Sequence, residues 1–392
     1  MRITLLALTL LALSGSALRL SAQERGRDRP REEEEDKPPD TSPGNGLLNL
    51  GFGNTGLSIG NSSRWNGLRI NFRDRGVQQI NGINLTFWKA ADRANPEARL
   101  HGLQIGVVGP EGAYLRGVNV GLGAVASREM IGVNVGVFGL VSEGTIYGLN
   151  LGGLGLVAEG SAVGLNIGGL GAVSQGGMDG INVGGLGLVA EREIRGLNLG
   201  GLGLVSQGDI TGLNVGGLAV VAQGSVTGIN VGGLALVAQG DLRYFSVGGL
   251  ALVAEREVTG VNVGGLALVS NDNIAGLNLA GLALVANDHA RGLSVAGLAL
   301  VADTRVSGLG VTLGRIYSSE TRGATVAGWL KTWDMKGLAI SPYTQIKGPQ
   351  RGLAIGIFNT ADELHGLQIG VLNRAKNNRG ITQWLPLFNF HK

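Results

Sequence analysis

Residues 212–227 read Gly-Leu-Asn-Val-Gly-Gly-Leu-Ala-Val-Val-Ala-Gln-Gly-Ser-Val-Thr, and the next unit restarts with Gly-Ile-Asn-Val at Gly228. This 16-residue spacing holds without a slip from Gly148 to Gly308. Weaker copies lie before and after it, beginning at Gly67, Gly82, Gly102, Gly117, Gly132, Gly323, Gly337, Gly352 and Gly366. A fixed short period of this kind predicts a stacked architecture that grows by adding units to one continuous core.

The side chains of one unit alternate in a way that favours extended structure. Leu213 and Val215 share one face of a strand, whereas Leu218 and Val220 share a face of the opposite parity. Because a one-residue shift turns every side chain over, we expect a bend at the two glycines between the pairs to keep both pairs inside. Further corners are expected at the turn residues Gln223-Gly224 and near Gly228, with Val226 pointing inward.

These features predict an all-β fold, a β-solenoid of about twenty Gly-rich repeats of 14–16 residues with atypical terminal units. Equivalent residues of successive coils would stack in internal columns, with Leu197, Leu213 and Ile229 in one and Leu202, Leu218 and Leu234 in another. A third column would be an amide ladder in which each side chain bonds the next. Its members are Asn150, Asn166, Asn182, Asn198, Asn214 and Asn230. We expect the ladder to be structural, with ligand display along it as the alternative.

An outer-membrane up-and-down β-barrel is the alternative fold, with each repeat as one membrane-spanning strand and a turn. Leu353, Ile355 and Ile357 alternate with other residues, and the chain ends in an aromatic stretch at 387–390. Longer extracellular loops would give a 32-residue superperiod, and none is visible. Pro386 also falls in the would-be closing strand, where it removes a backbone donor.

The chain divides into five segments by composition. Residues 1–22 are predicted to be a signal peptide, with Arg2 before a short apolar run and small residues near Ala22. Residues 23–46 form a charged, proline-containing linker that we expect to be disordered. Residues 47–131 are irregular N-terminal repeats, 132–322 the regular array, and 323–392 the C-terminal repeats that cap it.

No motif predicts catalysis, and no catalytic, cofactor-binding or metal-ligating residue is assigned. The stretch from Gly51 to Gly56 fits G-x-G-x-x-G, but no strand–helix context follows it. The four histidines are His101, His289, His365 and His391, and the acidic residues lie mainly at predicted corners. The formal net charge is +3 and cysteine is absent. We therefore expect no enzyme activity, no cofactor, no disulfide framework and no nucleic-acid partner.

The units Gly-Leu-Ala-Ile-Gly-Ile-Phe-Asn from Gly352 and Gly-Leu-Gln-Ile-Gly-Val-Leu-Asn from Gly366 resemble those of bacterial exported surface-repeat-containing proteins. The stretch at 66–75 and the ending at 385–390 are also similar to that group. The resemblance implies a cell-envelope location and supplies no activity and no catalytic residues.

Together the sequence predicts a non-enzymatic exported structural or adhesive protein of the cell surface, outer membrane or periplasm. An outer-membrane barrel acting as a pore or scaffold is the alternative, and a polysaccharide-acting β-helix enzyme is a remote one. Partners are not identified by the sequence. Self-association, an envelope surface, a glycan and membrane association all stay open.

Overall fold

The structure is a computed structural model that describes residues 46–91 and 97–392. Residues 1–45, which hold the predicted signal peptide and all but the last residue of the predicted linker, lie outside the described residues. The last linker residue, Gly46, begins the first strand. The N-terminal strands are β1 (Gly46–Phe52), β2 (Thr55–Gly60), β3 (Arg64–Arg73), β4 (Gln79–Trp88), β5 (Arg99–Gly106) and β6 (Glu111–Ser142).

In the array, a seven- or eight-residue strand alternates with a four-residue strand. The strands are β7 (Thr145–Gly152), β8 (Gly155–Ala158), β9 (Ala162–Gly168), β10 (Gly171–Ser174), β11 (Met178–Gly184), β12 (Gly187–Ala190), β13 (Ile194–Gly200), β14 (Gly203–Ser206), β15 (Ile210–Gly216), β16 (Ala219–Ala222), β17 (Val226–Gly232), β18 (Ala235–Ala238), β19 (Leu242–Gly248), β20 (Ala251–Ala254), β21 (Val258–Gly264), β22 (Ala267–Ser270), β23 (Ile274–Ala280), β24 (Ala283–Ala286) and β25 (His289–Ala296).

The C-terminal coils have longer strands and end in a 3₁₀ turn and a final strand. They are β26 (Ala299–Thr312), β27 (Arg315–Val326), β28 (Trp329–Ile340), β29 (Tyr343–Ala375), the turn Gly380–Gln383 and β30 (Trp384–His391).

Each strand of the array pairs in parallel with the equivalent strand of the next unit, which confirms the predicted solenoid. In β13, β15 and β17, for example, Gly196 pairs with Gly212 and Gly212 with Gly228. Only the terminal pairs among the described strands, β1 with β2 and β29 with β30, are antiparallel. The chain forms about 18 stacked turns. The barrel alternative, which required antiparallel neighbours, is wrong.

The prediction of which residues face the core was partly wrong. Val220 and Val226 are fully buried as expected, but Leu218 is 47% exposed and Leu213 also faces outward. The same holds for most of the two predicted internal columns, since Leu202, Leu234 and Ile229 are exposed as well. The buried residues all have the same parity, so the face that points inward does not switch at the glycine pair. They are Asn214, Gly216, Val220, Ala222 and Val226.

The narrow coil explains this inversion. A Cβ atom added to Gly216 would lie 2.1 Å from the carbonyl oxygen of Ala219 and 3.0 Å from the side chain of Val220. A coil of this width accepts Asn, Gly, Ala and two columns of larger apolar side chains, and the remaining leucines are left outside. The glycine pair still makes the predicted corner, because β15 ends at Gly216 and β16 begins at Ala219.

The other two predicted corners differ from each other. The chain turns at Gln223-Gly224, between Ala222 at the end of β16 and Val226 at the start of β17. At Gly228 there is no break, since β17 continues through it with a φ of +115°. The predicted third corner is therefore a bend within a continuous strand.

The predicted asparagine ladder is confirmed and runs inside the coil. Its members are fully buried, and each Nδ2 atom donates to the Oδ1 atom of the next asparagine at 2.7–2.8 Å. The uninterrupted run joins Asn119, Asn134, Asn150, Asn166, Asn182, Asn198, Asn214 and Asn230. Because a buried amide is costly unless it is paired, the ladder makes an amide column compatible with a closed core.

Candidate binding surface

The most extensive exposed feature of the array is a row of leucines at one corner of the coil, here called the leucine ridge. It consists of Leu154, Leu170, Leu186, Leu202, Leu218, Leu234, Leu250, Leu266, Leu282 and Leu298, which are 45–59% exposed. The backbone N–H of each of these leucines after the first donates to the carbonyl of the preceding one at 2.6–2.8 Å. At about 4.8 Å per coil, the ridge extends over roughly 43 Å.

The two strands that meet at the ridge carry aliphatic side chains on their outer faces. Ile181 and Ile229 are exposed on the longer strands, and Val157 and Val173 on the shorter ones. Together with the ridge they form a continuous aliphatic face. Exposed apolar patches of monomeric proteins rarely exceed about 300–600 Å², and larger ones mark interaction sites.

Polar side chains are concentrated at the remaining corner and its borders. The corner that follows each short strand carries an acid or an amide, as in Glu159, Gln175, Glu191, Gln207, Gln223, Gln239 and Glu255. Arg195 lies near the start of the longer strand, where it pairs with Glu193 at 2.7 Å. The coil is therefore two-sided, with one aliphatic and one polar border.

The coil that contains Tyr244 departs from the repeat at a position that glycine occupies in the other coils. The residue occupies a column in which the twenty other members are glycines with φ between +95° and +149°. Tyr244 itself has a φ of +79° and a side chain that is 68% exposed. A non-glycine residue held in this region costs about 1–3 kcal/mol, and such residues cluster at functional sites. The departure is visible in the sequence as the one aromatic residue in a column of glycines, whereas its backbone conformation is not.

The asparagine ladder is interrupted in the same coil, as it is again at Ser294. Ser246 stands at the ladder position, and the Asn230 Nδ2 atom reaches its hydroxyl at 3.4 Å rather than the 2.7–2.8 Å found along the run. The buried Oδ1 atom of Asn262, in the next coil, has no hydrogen-bond partner. Phe245, between Tyr244 and Ser246, is 40% exposed.

In the same coil, the buried carboxylate of Asp241 interacts with two arginines. Asp241 accepts a hydrogen bond from the Arg243 Nη2 atom at 2.7 Å and lies 3.5 Å from the Arg256 Nε atom. The backbone N–H of Glu257 also donates to it at 3.2 Å. Both guanidinium groups remain mostly exposed, because the carboxylate holds only one edge of each.

Aromatic side chains of the C-terminal coils stack on one another and on arginines, although the two tryptophans stay about 40% exposed. The column consists of Trp329, Tyr343, Phe358 and Trp384, with ring centroids 5.4–6.0 Å apart. The guanidinium of Arg315 lies over the ring of Trp329, and that of Arg374 over Trp384. Because neighbouring rings and guanidiniums cover the ring faces, the stack holds consecutive coils together.

The residues discounted in the sequence are not brought into a common site. His365 packs against His391 with ring centroids 6.1 Å apart, whereas His101 lies in β5. Burial and the neighbouring Arg116 and Arg99 lower the pKa of His101. Within the described residues, no three His, Asp or Glu side chains are placed to hold a metal ion. The segment from Gly51 to Gly56 forms the tight connection of the β1–β2 hairpin.

No family model, curated protein or solved structure matches this chain. None of the described residues belongs to a helix with the length and hydropathy of a membrane span.

Proposed function

We propose that this protein is a non-enzymatic structural or adhesive component of the bacterial cell envelope, and that the aliphatic face is its contact surface. The observation that carries the proposal is the leucine ridge, ten half-exposed leucines in one unbroken line. Repeat proteins present extended binding surfaces of this kind because every coil adds the same side chains to the same row.

The energetics favour a covered ridge. Burying a leucine side chain completely contributes about 1.5–3 kcal/mol, so covering ten half-exposed leucines would contribute on the order of 10 kcal/mol before the costs of association. A surface with that potential is expected to be occupied when the protein works. Export through the signal-like segment 1–22 would bring this surface to the envelope.

The test compares two triple variants in attachment to isolated cell envelopes. Leu202→Ser, Leu218→Ser and Leu234→Ser remove three neighbouring ridge side chains, whereas Gln207→Ser, Gln223→Ser and Gln239→Ser alter the polar corner of the same coils. Because the ridge leucines are outside the core, both variants should keep their circular dichroism spectra. We expect only the ridge variant to lose attachment in co-sedimentation. Equal attachment of the two variants would refute the proposal.

A further inference from the structure

The coil that contains Tyr244 combines three departures from the repeat, of which only the interruption of the ladder recurs in the array, at Ser294. An aromatic residue replaces glycine at a left-handed position, Phe245 replaces an aliphatic residue, and Ser246 interrupts the amide ladder. The other coils provide an internal comparison, because they carry glycine at the position of Tyr244, the residue that a positive φ favours. A coil that departs from this requirement and exposes two aromatic rings is expected to serve recognition.

The surroundings of Tyr244 leave its ring open. In the coils on either side, its column neighbours are Gly228 and Gly260, which have no side chain to cover the ring. Within the described part of the chain, the Tyr244 hydroxyl makes no hydrogen bond and its ring packs on no other ring. This differs from the aromatic stack of the C-terminal coils, where each ring contacts a neighbouring ring. Tyr244 therefore presents both an apolar surface and a free polar group.

The polar groups beside the rings are held in place but retain free donors. Arg243 donates a hydrogen bond to Asp241, Arg256 lies 3.5 Å from the same carboxylate, and each guanidinium has five N–H donors, most of which remain available. The nearby Glu255 and Glu257 add negative charge. The local charge is therefore not strongly positive, which disfavours a polyanion as the ligand.

We propose that Tyr244 and Phe245, flanked by Arg243 and Arg256, form a glycan-binding site. A sugar ring has an apolar C–H face that packs on an aromatic ring and hydroxyl groups that accept hydrogen bonds from arginine and tyrosine. Binding sites commonly combine aromatic surface with a few fixed polar groups. The inference adds a ligand class to the proposed envelope function and depends on residues outside the leucine ridge.

The decisive variant is Tyr244→Gly, which restores the residue found elsewhere in the column. It should raise the melting temperature because it removes the left-handed tyrosine, and it should weaken glycan binding by about tenfold or more, as loss of a central aromatic contact does. A loss of binding together with a gain in stability cannot result from misfolding. The matched control is Tyr147→Thr, which removes an exposed tyrosine on regular backbone in β7.

The probes are tetrasaccharides of β-1,4-linked glucose and of β-1,4-linked N-acetylglucosamine, measured by calorimetry with the full chain. We expect the unaltered protein and Tyr147→Thr to bind at least one of them equally well. Failure of the unaltered protein to bind either probe at millimolar concentration, or equal binding by Tyr244→Gly, would overturn the proposal. The leucine-ridge variant should keep glycan binding, so failure of this site and failure of the ridge proposal give different results.

Discussion

At the scale of single residues, the buried asparagines depend on their neighbours more than on their own contacts. Asn198 accepts a hydrogen bond from Asn182 and donates one to Asn214, at 2.8 and 2.7 Å. Removing it leaves the Oδ1 atom of Asn214 without this donor, and leaves the Nδ2 atom of Asn182 with only a long bond of 3.4 Å to the carbonyl of Arg195. A buried polar group left unpaired costs about 1–3 kcal/mol, and two such groups are affected.

We therefore predict that Asn198→Ala lowers the free energy of unfolding by about 2–5 kcal/mol. Asn278→Ala is the control, because the Nδ2 atom of Asn278 already lacks a partner and only the bond from Asn262 is lost. Its cost should be about half as large. Urea denaturation of the two variants beside the parent measures both free energies of unfolding. Equal destabilisation would mean that the second ladder hydrogen bond of Asn198 adds nothing to stability.

At the scale of strands and coils, the spacing of the repeat predicted the architecture but not its inner and outer sides. Coil stacking, the glycine corner and the asparagine ladder follow from equivalent residues lying one period apart. Leu218 was expected inside because large apolar residues are usually buried. The coil is too narrow to hold Leu218 inside. Its width is set by the close approach of Gly216 to Ala219, and the spacing of the repeat does not reveal that distance.

The two proposed binding surfaces could be predicted from the sequence to different degrees. The leucine ridge could not be recognised while its residues were assigned to the core. Tyr244, in contrast, was visible as the one aromatic in a column of glycines. Its meaning required the left-handed φ and the free ring, which only the structure supplies.

Three consecutive C-terminal strands are joined by one carboxylate. Glu320 in β27 accepts hydrogen bonds from Arg305 in β26, Arg322 in β27 and Lys336 in β28, at 2.6, 2.6 and 3.1 Å. Burial raises the pKa of the Glu320 carboxyl, but the three hydrogen bonds outweigh burial and lower the pKa from 4.5 to about 2. A carboxyl with a lower pKa in the folded state stabilises the fold only while it is ionised.

This network predicts a specific acid sensitivity. Its contribution is fully present above about pH 4.5, the unfolded value, and is lost as the pH falls through the folded value of about 2. Glu320→Gln should therefore have a lower urea midpoint than the parent at pH 7 and a similar midpoint near pH 2. Glu159→Gln, at an exposed corner, should have the same urea midpoint as the parent at both pH values. A difference for Glu320→Gln that stays constant with pH would contradict the prediction.

At the scale of the whole solenoid, the core and the proposed contact surface occupy different sides of the same coil. The interior is built from asparagine, glycine, alanine and two columns of larger apolar residues, and the outer aliphatic face adds little to the core. Each coil therefore contacts its two neighbours and leaves its ridge leucine half-exposed. The length of the ridge can change by whole coils without any change in the core.

Deleting residues 212–227 should accordingly leave a folded protein that is one coil shorter. Thr211 would then precede Gly228, so Gly196 would pair with Gly228 and Asn198 would donate to Asn230 in the existing register. Deleting only 212–219 is the control, because it removes half a coil and places unlike residues in one column. Circular dichroism and thermal melting should show a cooperative transition for the first deletion alone, and small-angle scattering a length reduced by about 5 Å. Unfolding of the full-unit deletion would show that coils are not interchangeable and that the array depends on contacts beyond adjacent turns.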